Sequence, residues 1–428
     1  MKVLYLIHQY IPDTIGGTEL LLHDLAENIQ KGGHDVAIFA YHESPDSNPA
    51  SFGTRVETVD GVRVYRFHFN LSIHPNIHTG EFRNAFAEQA LNDVIEDFSP
   101  DVAHVAHAMK LGGGIFETLS NEGVPIVSTL SDYWYFCLRH SLLLSDQSPC
   151  TNGPVPASRC LPCLQERFGH NQLLDHDAEK ELTKRNSFLK EAILRSNVIL
   201  ALSSHQREAY IRFGFPAERI QCAEHGIHTD LLAPARKHHS EQPERKTGNP
   251  IKILFVGTLL PHKGAHLLIN AVLQLPHAHV ELRIIGNPER GGGYANDLVT
   301  ASSEDTRITF AGECDHSSLP KEYEWCDLLV MPSIWDENEP MVVKEARWCG
   351  IPVATHDLPG IGSLVVGEKD GWIIPDPSIA SWKEWLAQLE QHKNRCLPPN
   401  IELPTNQTFS TTMLEHYTAA IEGAVCSD

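Results

Sequence analysis

The sequence predicts an α/β protein built from two doubly wound domains in tandem. Three observations carry that reading. Short apolar runs recur along the 428 residues with amphipathic stretches between them, the pattern of parallel strands joined by helices. The alternation breaks over 235–250, where the chain is charged, holds Pro243, Gly248 and Pro250, and shows no apolar period. It then restarts. At about 100–200 residues per domain the length suits two or three domains, each able to bury a core without disulfides.

The elements follow in order. Residues 3–7 form a first strand, and a loop with Pro12 and Gly16-Gly17 comes next. Residues 18–30 read as a helix with Leu21, Leu22, Leu25, Ala26 and Ile29 on one side. Gly32-Gly33 ends it, and 36–40 is a second strand. Residues 101–105, 125–130 and 198–202 continue the first sheet; 251–256, 282–285, 308–311, 328–331 and 352–355 make the second. A helix over 409–424 follows a Pro-rich stretch at 397–404. The expected division is an N-terminal domain over 1–230, a linker over 231–250, a C-terminal domain over 251–405, and a helix over 406–428 returning to the first domain. Ligands of such sheets bind outside the carboxyl ends of the strands, and two such ends facing each other would form a cleft.

Charge excludes several function classes. Lys and Arg number 34 against 55 Asp and Glu, a net −21. Nucleic-acid binding needs a basic footprint, and broad docking to anionic lipid needs one too. No run approaches the ~20 apolar residues that span a bilayer. The apolar start at 3–7 is too short for a signal-peptide core. The expectation is a cytoplasmic protein, with at most peripheral contact at the inner face of the membrane.

Four segments carry chemistry. The strongest is 331–350, M-P-S-I-W-D-E-N-E-P-M-V-V-K-E-A-R-W-C-G. A strand ends, a loop carries Trp335 to Glu339, and Pro340 stands where a helix begins. Glu337 falls in the loop and Glu345 about one turn into the helix, so two carboxylates flank amides able to seat a phosphate. Two acids at a helix start also simply complement its dipole. The second segment, F-V-G-T-L-L-P-H-K-G at 255–264, places Lys263 after a strand and before a helix, without Walker spacing; taken alone it is a solvated loop lysine. The third, Gly16-Gly17-Thr18-Glu19, opens the first helix, where glycines permit a close backbone approach or merely a tight turn. In the fourth, P-D-V-A-H-V-A-H at 100–107, His107 lies just past the strand's carboxyl end, while His104 reads as structural.

Together G-G-T-E, D-V-A-H-V-A-H, L-S-S-H-Q, E-H-G-I-H, F-V-G-T-L-L-P-H-K-G, L-R-I-I-G and E-N-E-P-M-V-V-K-E-A resemble the retaining glycosyltransferases of family 4, with the GT-B fold, over nearly the whole chain. The resemblance implies a hexosyltransferase that takes a nucleotide-sugar donor, UDP- or GDP-linked, and a saccharide or lipid-linked acceptor in cell-surface polysaccharide synthesis. It implies that Glu337 binds sugar hydroxyls, Glu345 the ribose, and Lys263 the leaving diphosphate. The backbone of Asn338, Glu339, Pro340 and Met341 would face diphosphate and sugar, Gly16 and Gly17 would approach the phosphates, and Gly286-Asn287 would lie near the base. His107 would sit near the sugar, and no metal is required for the chemistry. The chain departs from the family at Thr258, a donor-side position where many members carry arginine, and at Ser131-Asp132, where His-Asp is common and Asp132 falls on the acceptor side. It departs again at 358–363, where a carboxylate is usual. The alternatives are a catalytically degenerate scaffold of the same fold and a nucleotide-sugar epimerase.

Four of the ten cysteines are bunched as Cys137-x12-Cys150-x9-Cys160-x2-Cys163. Four thiolates suit tetrahedral Zn²⁺, with an iron–sulfur cluster or disulfides as alternatives. The segment 134–168 shows little apolar periodicity, which favours a structural zinc as its organiser. Some family 4 members carry a similar insert after Asp-Tyr-Trp, here 132–134, and it is expected to shape acceptor recognition.

Overall fold

A computed structural model describes residues 1–74, 77–80, 82–144, 146–151, 153, 156–168, 175–241, 248–362, 364–365, 371–389 and 401–425. The chain divides into two compact units, Met1–His225 with Asn406–Asp428, and Gly226–Thr405.

The first unit carries eight strands: β1 (Lys2–Ile7), β2 (Asp35–Glu43), β3 (Gly53–Val59), β4 (Val62–Phe69), β5 (Val102–Val105), β6 (Ile126–Leu130), β7 (Val198–Ala201) and β8 (Ile220–Cys222). Their order is β3-β4-β2-β1-β5-β6-β7-β8, parallel except for β3 against β4. That hairpin is absent from the sequence expectation, although Asp60-Gly61 between alternating runs signals it; both residues take positive φ, 47° and 83°. The order changes direction between β1 and β5. Loops leaving the carboxyl ends of two such strands part and leave a crevice.

The helix Asn406–Val425 belongs to this unit. Phe409, Met413, Tyr417 and Ala420 form its buried stripe and join a core with Val3, Tyr5, Leu22 and Leu25. Tyr417 donates to the Tyr5 hydroxyl (3.2 Å) and meets His104 Nδ1 (2.8 Å), while His104 Nε2 meets Thr129 Oγ1 (2.8 Å). Burial pushes His104 down to about 3, so it serves the fold as a neutral bridge.

The second unit carries β9 (Ile251–Val256), β10 (Val280–Ile285), β11 (Ile308–Gly312), β12 (Leu328–Met331), β13 (Val353–His356) and β14 (Gly371–Ile374), ordered β11-β10-β9-β12-β13-β14. All the pairs are parallel. Here the order reverses between β9 and β12. The stretch 231–250, expected as a linker, is helical from Thr229 to Glu241 and belongs to this unit. Leu232 and Ala235 are buried and supply the apolar contact that outweighs Pro234 within the helix. Ile227 pairs with Thr405 at the other end of the unit, its amide donating to the Pro404 carbonyl at 3.0 Å. Among the described residues no helix is long and apolar enough to cross a membrane.

Candidate functional sites of the two units

In the second unit the reversal point gathers the loops after β9 and β12. Lys263 ends the turn Pro261–Lys263, and Gly264 follows at φ 73°. A side chain at 264 would put its Cβ 1.8 Å from the Pro332 carbonyl oxygen, so glycine lets the two loops touch. The Ile334 amide donates to the His262 carbonyl (2.9 Å) and ties them. Across this junction Lys263 Nζ donates to Glu337 Oε1 at 2.7 Å, and Ser333 Oγ donates to the same oxygen at 2.6 Å. Glu337 is 4% exposed. Lys263 also lies 4.9 Å from the centroid of the Trp335 ring, which meets the His262 ring edge-on. A Cβ at Gly360 would fall 1.5 Å from the Glu337 carbonyl oxygen, so a third loop packs on the same carboxylate's backbone.

The helix that follows runs Met341–Cys349, with Pro340 as its N-cap rather than its first residue. Pro340 has no N–H, so the amides available there belong to its neighbours. Glu339 pairs with the fully buried Lys344. Glu345 is 1% exposed, and both its oxygens are engaged: Tyr323 OH donates to Oε2 (2.7 Å) and His316 Nε2 faces Oε1 (3.1 Å). Neither partner was among the expected site residues, because both lie in segments without a motif. Gly286 abuts the Gly257 carbonyl, where a Cβ would lie at 2.3 Å. Asn287 caps its loop, accepting from the Glu289 amide (2.9 Å) and donating to Glu313 (3.2 Å). Thr258 is exposed.

In the first unit the reversal point lies between β1 and β5, and His8 and His107 follow those two strands with rings 4.3 Å apart. The Met109 amide donates to His107 Nδ1 (3.1 Å), so Nε2 carries the proton and donates to Asp132 Oδ2 (2.9 Å). Burial works to raise the Asp132 carboxyl, but His107, His140 and the Trp134 amide outweigh it and hold it below the usual carboxylate range. His8 is 7% exposed, and burial, helped by His107, Lys110 and His140, pushes it well down. Gly16 is the N-cap of the helix Gly17–Lys31. Glu19, 2% exposed, folds its carboxylate back onto the Gly16 amide, as a capping-box residue does. The Gly16-Gly17 turn is thus closed by the chain's own acid, and burial raises that carboxyl.

The chain over 15–231, just over half its length, matches the family described as Glycosyltransferase Family 4, and 237–398 matches Glycosyl transferases group 1. The chain belongs to glycosyltransferase family 4. Its two Rossmann-like units are those of the GT-B fold. HepE from Anabaena, solved in complex with UDP and glucose, is similar at TM-score 0.65 and 17% identity, covering 98% of this chain and 99% of that one. D-inositol 3-phosphate glycosyltransferase of Corynebacterium efficiens is 26% identical over 228 residues, 50% of this chain and 53% of that protein. A putative colanic acid biosynthesis glycosyltransferase, WcaL of Escherichia coli, is 23% identical over 54% of this chain and 56% of its own length. The match thus spans about half the length of these curated relatives.

This family 4 chain also gathers its four bunched cysteines in one region of the first unit. Cys160 and Cys163 lie in a small cluster with Leu138, Leu164, Ala178 and Leu182, so the segment has a modest core of its own where none was expected. The Cys150 amide donates to Leu142 O (2.7 Å), and the Arg139 and Leu142 amides face the Cys137 sulfur. Burial, then the neighbouring Cys137, Cys163 and Cys150, pushes the Cys160 thiol up to about 12. None of the four is in a disulfide. The donor set fits a thiophilic cation. The sulfurs stand apart, however: among the described residues no three of them lie within 4.8 Å of one another.

Proposed function

We propose that this chain is a retaining glycosyltransferase that moves a hexose from a UDP- or GDP-linked donor to a saccharide or lipid-linked acceptor in cell-surface polysaccharide synthesis. The observation that carries this reading is the Lys263–Glu337 contact at the reversal point of the second sheet. Glu337 takes both hydrogen bonds on Oε1, leaving Oε2 to accept from a sugar hydroxyl. Lys263, a cation beside it, stabilises the diphosphate as negative charge develops on the leaving oxygen. The acceptor hydroxyl oxygen bonds to the anomeric carbon on the face the diphosphate leaves, and its proton passes to the departing phosphate oxygen. No enzymic nucleophile is used. A ribose role for Glu345 requires His316, whose side chain is 17% exposed, to yield Oε1. The His107 ring, held between the Met109 amide and Asp132, is fixed in orientation where a ligand would approach. The HepE complex with UDP and glucose and the naming of WcaL support the donor class and the biosynthetic setting.

Thermal shift against UDP-, GDP-, ADP- and TDP-linked sugars tests the donor class. Saturation at 100 times the dissociation constant stabilises by about 2.7 kcal/mol. Lys263→Ala should lose on the order of 100-fold or more in turnover while remaining folded. Stabilisation by none of the four nucleotide sugars favours the degenerate scaffold, whereas full turnover in Lys263→Ala overturns the role given to that lysine.

For the cysteine module we propose a structural zinc held by Cys137, Cys150, Cys160 and Cys163, shaping the acceptor side. Its support is four undisulfided thiols in one region with amides turned toward one sulfur. Metal analysis of the purified protein should return about one zinc per chain, lost in a Cys160→Ser, Cys163→Ser double variant. Metal-free wild type, or a disulfide between any two of the four, overturns it.

A further inference from the structure

Glu337 is the end of a longer chain of contacts that reaches the core. The indole Nε1–H of Trp382 donates to His356 Nε2 at 2.8 Å. An indole nitrogen can only donate, so Nε2 is the bare nitrogen and the ring proton sits on Nδ1. That Nδ1–H donates to the backbone carbonyl of Ser333 at 2.9 Å. The Ser333 hydroxyl then donates to Glu337 Oε1, where Lys263 also donates. Trp382 and Ser333 are fully buried, and His356 is 2% exposed. His356 closes β13 and Trp382 lies in the helix Ile379–Leu389. Two rigid elements thus hold the loop after β12 from behind.

We infer that Ser333 and His356 are positioning residues that aim the Glu337 carboxylate, with Trp382 fixing the tautomer that makes this work. The inference rests on the reading of Glu337 as the sugar-contacting carboxylate. The physical reason is directional. Ser333 has one hydroxyl proton, and it goes to Oε1. With Oε1 held by two donors, the carboxylate cannot rotate without breaking both, and Oε2 is presented in one orientation. Such preorganisation costs nothing at the moment of reaction. The opposite tautomer of His356 would set an N–H against the Trp382 N–H and a lone pair against the Ser333 carbonyl. Both links would fail together. Burial also keeps the imidazole neutral, lowering its proton affinity against the opposing pull of the Ser333 carbonyl and Asp376.

The test uses the full chain with UDP-, GDP-, ADP- and TDP-linked glucose, reading release of the nucleoside diphosphate. Ser333→Ala should lower kcat about tenfold or more, the cost of one hydrogen bond to a charged group, with KM within about twofold and an unchanged unfolding midpoint. Ser333→Thr, which keeps the hydroxyl, should restore most of it. At 356, an Asn amide can replace the Nδ1 donor and a Gln amide can replace the Nε2 acceptor. His356→Asn should therefore retain more turnover than His356→Gln, because only the Nδ1 side faces the catalytic loop. Nitrogen NMR of the imidazoles should show His356 protonated on Nδ1, whether or not any donor turns over. Glu337→Gln separates the two readings. Its loss of turnover beside an unaffected Ser333→Ala, or an Nε2-protonated His356, overturns the positioning role alone. Full turnover in Glu337→Gln, or no turnover of any of the four donors by the wild type, overturns the reading of Glu337, and the positioning role falls with it.

Discussion

Three buried histidines, His8, His104 and His356, are held neutral chiefly by burial, each below its ordinary value. An unfolded histidine takes up a proton near pH 6.5. Between that point and the depressed folded value, the unfolded chain binds protons the folded chain refuses. Stability from these groups is complete above pH 6.5 and is lost as pH falls below it. Each contributes a slope of up to about 1.4 kcal/mol per pH unit. Urea unfolding measured from pH 7.5 to 5 should show this decline, and His104→Gln should remove about one proton from the slope. Asp132 works in a lower window. Its depressed carboxyl adds stability that is present above the unfolded value near 3.9 and is lost only as pH falls toward the folded one. At this scale the sequence was legible where a motif concentrated the chemistry. E-N-E-P and H-K-G singled out Glu337 and Lys263, which the structure joins at 2.7 Å, and the end of its strand singled out His107. Ser333, His316 and Tyr323 were not, because serine, histidine and tyrosine in unmarked segments carry no spacing signal and act through contacts between loops distant in sequence.

The elements hold their sites through backbone proximity as much as through side chains. Gly264 sits at φ 73° against the Pro332 carbonyl. Gly264→Ala should therefore push the Lys263 turn off the loop after β12. We expect a loss of at least about 1–3 kcal/mol in stability, with turnover falling further than stability alone predicts; chemical denaturation and nucleotide release measure the two. The central parallel strands were readable because buried apolar runs bounded by turns are their signature. The β3–β4 hairpin escaped because β3 offers no buried apolar run: Arg55, Val56, Glu57 and Thr58 are all exposed. The helix Thr229–Glu241 escaped because charge and Pro234 masked an apolar contribution of only two buried residues, Leu232 and Ala235.

At the scale of the whole molecule the two units differ in how they are closed. The second enters and leaves through neighbouring segments, Ile227 beside Thr405. The first is closed by a helix that follows the second in sequence, and that helix covers Val3, Tyr5, Leu22 and Leu25. Truncation after residue 405 should strip this cover and leave Tyr5 and His104 without Tyr417. Exposing that core and its polar bridge should cost the first unit more than about 5 kcal/mol. Calorimetry should then show the first unit's transition lost and the second's kept. That this segment is helical was legible because its stripe is apolar at helical spacing, with a Pro-rich stretch before it; the stripe itself does not say which core it covers.

That closure sets an order of events during synthesis. Domains made on the ribosome usually fold as they emerge, the earlier before the later. Here the order inverts. The unit encoded first waits, its sheet laid down but one face uncovered, while the unit encoded second emerges and completes itself. Only when residues 406–425 have left the exit tunnel can the earlier unit close. A chain halted before that point carries a finished unit with Lys263 and Glu337 and an unfinished unit with His107 and Asp132, its apolar face around Val3, Tyr5, Leu22 and Leu25 still open to water.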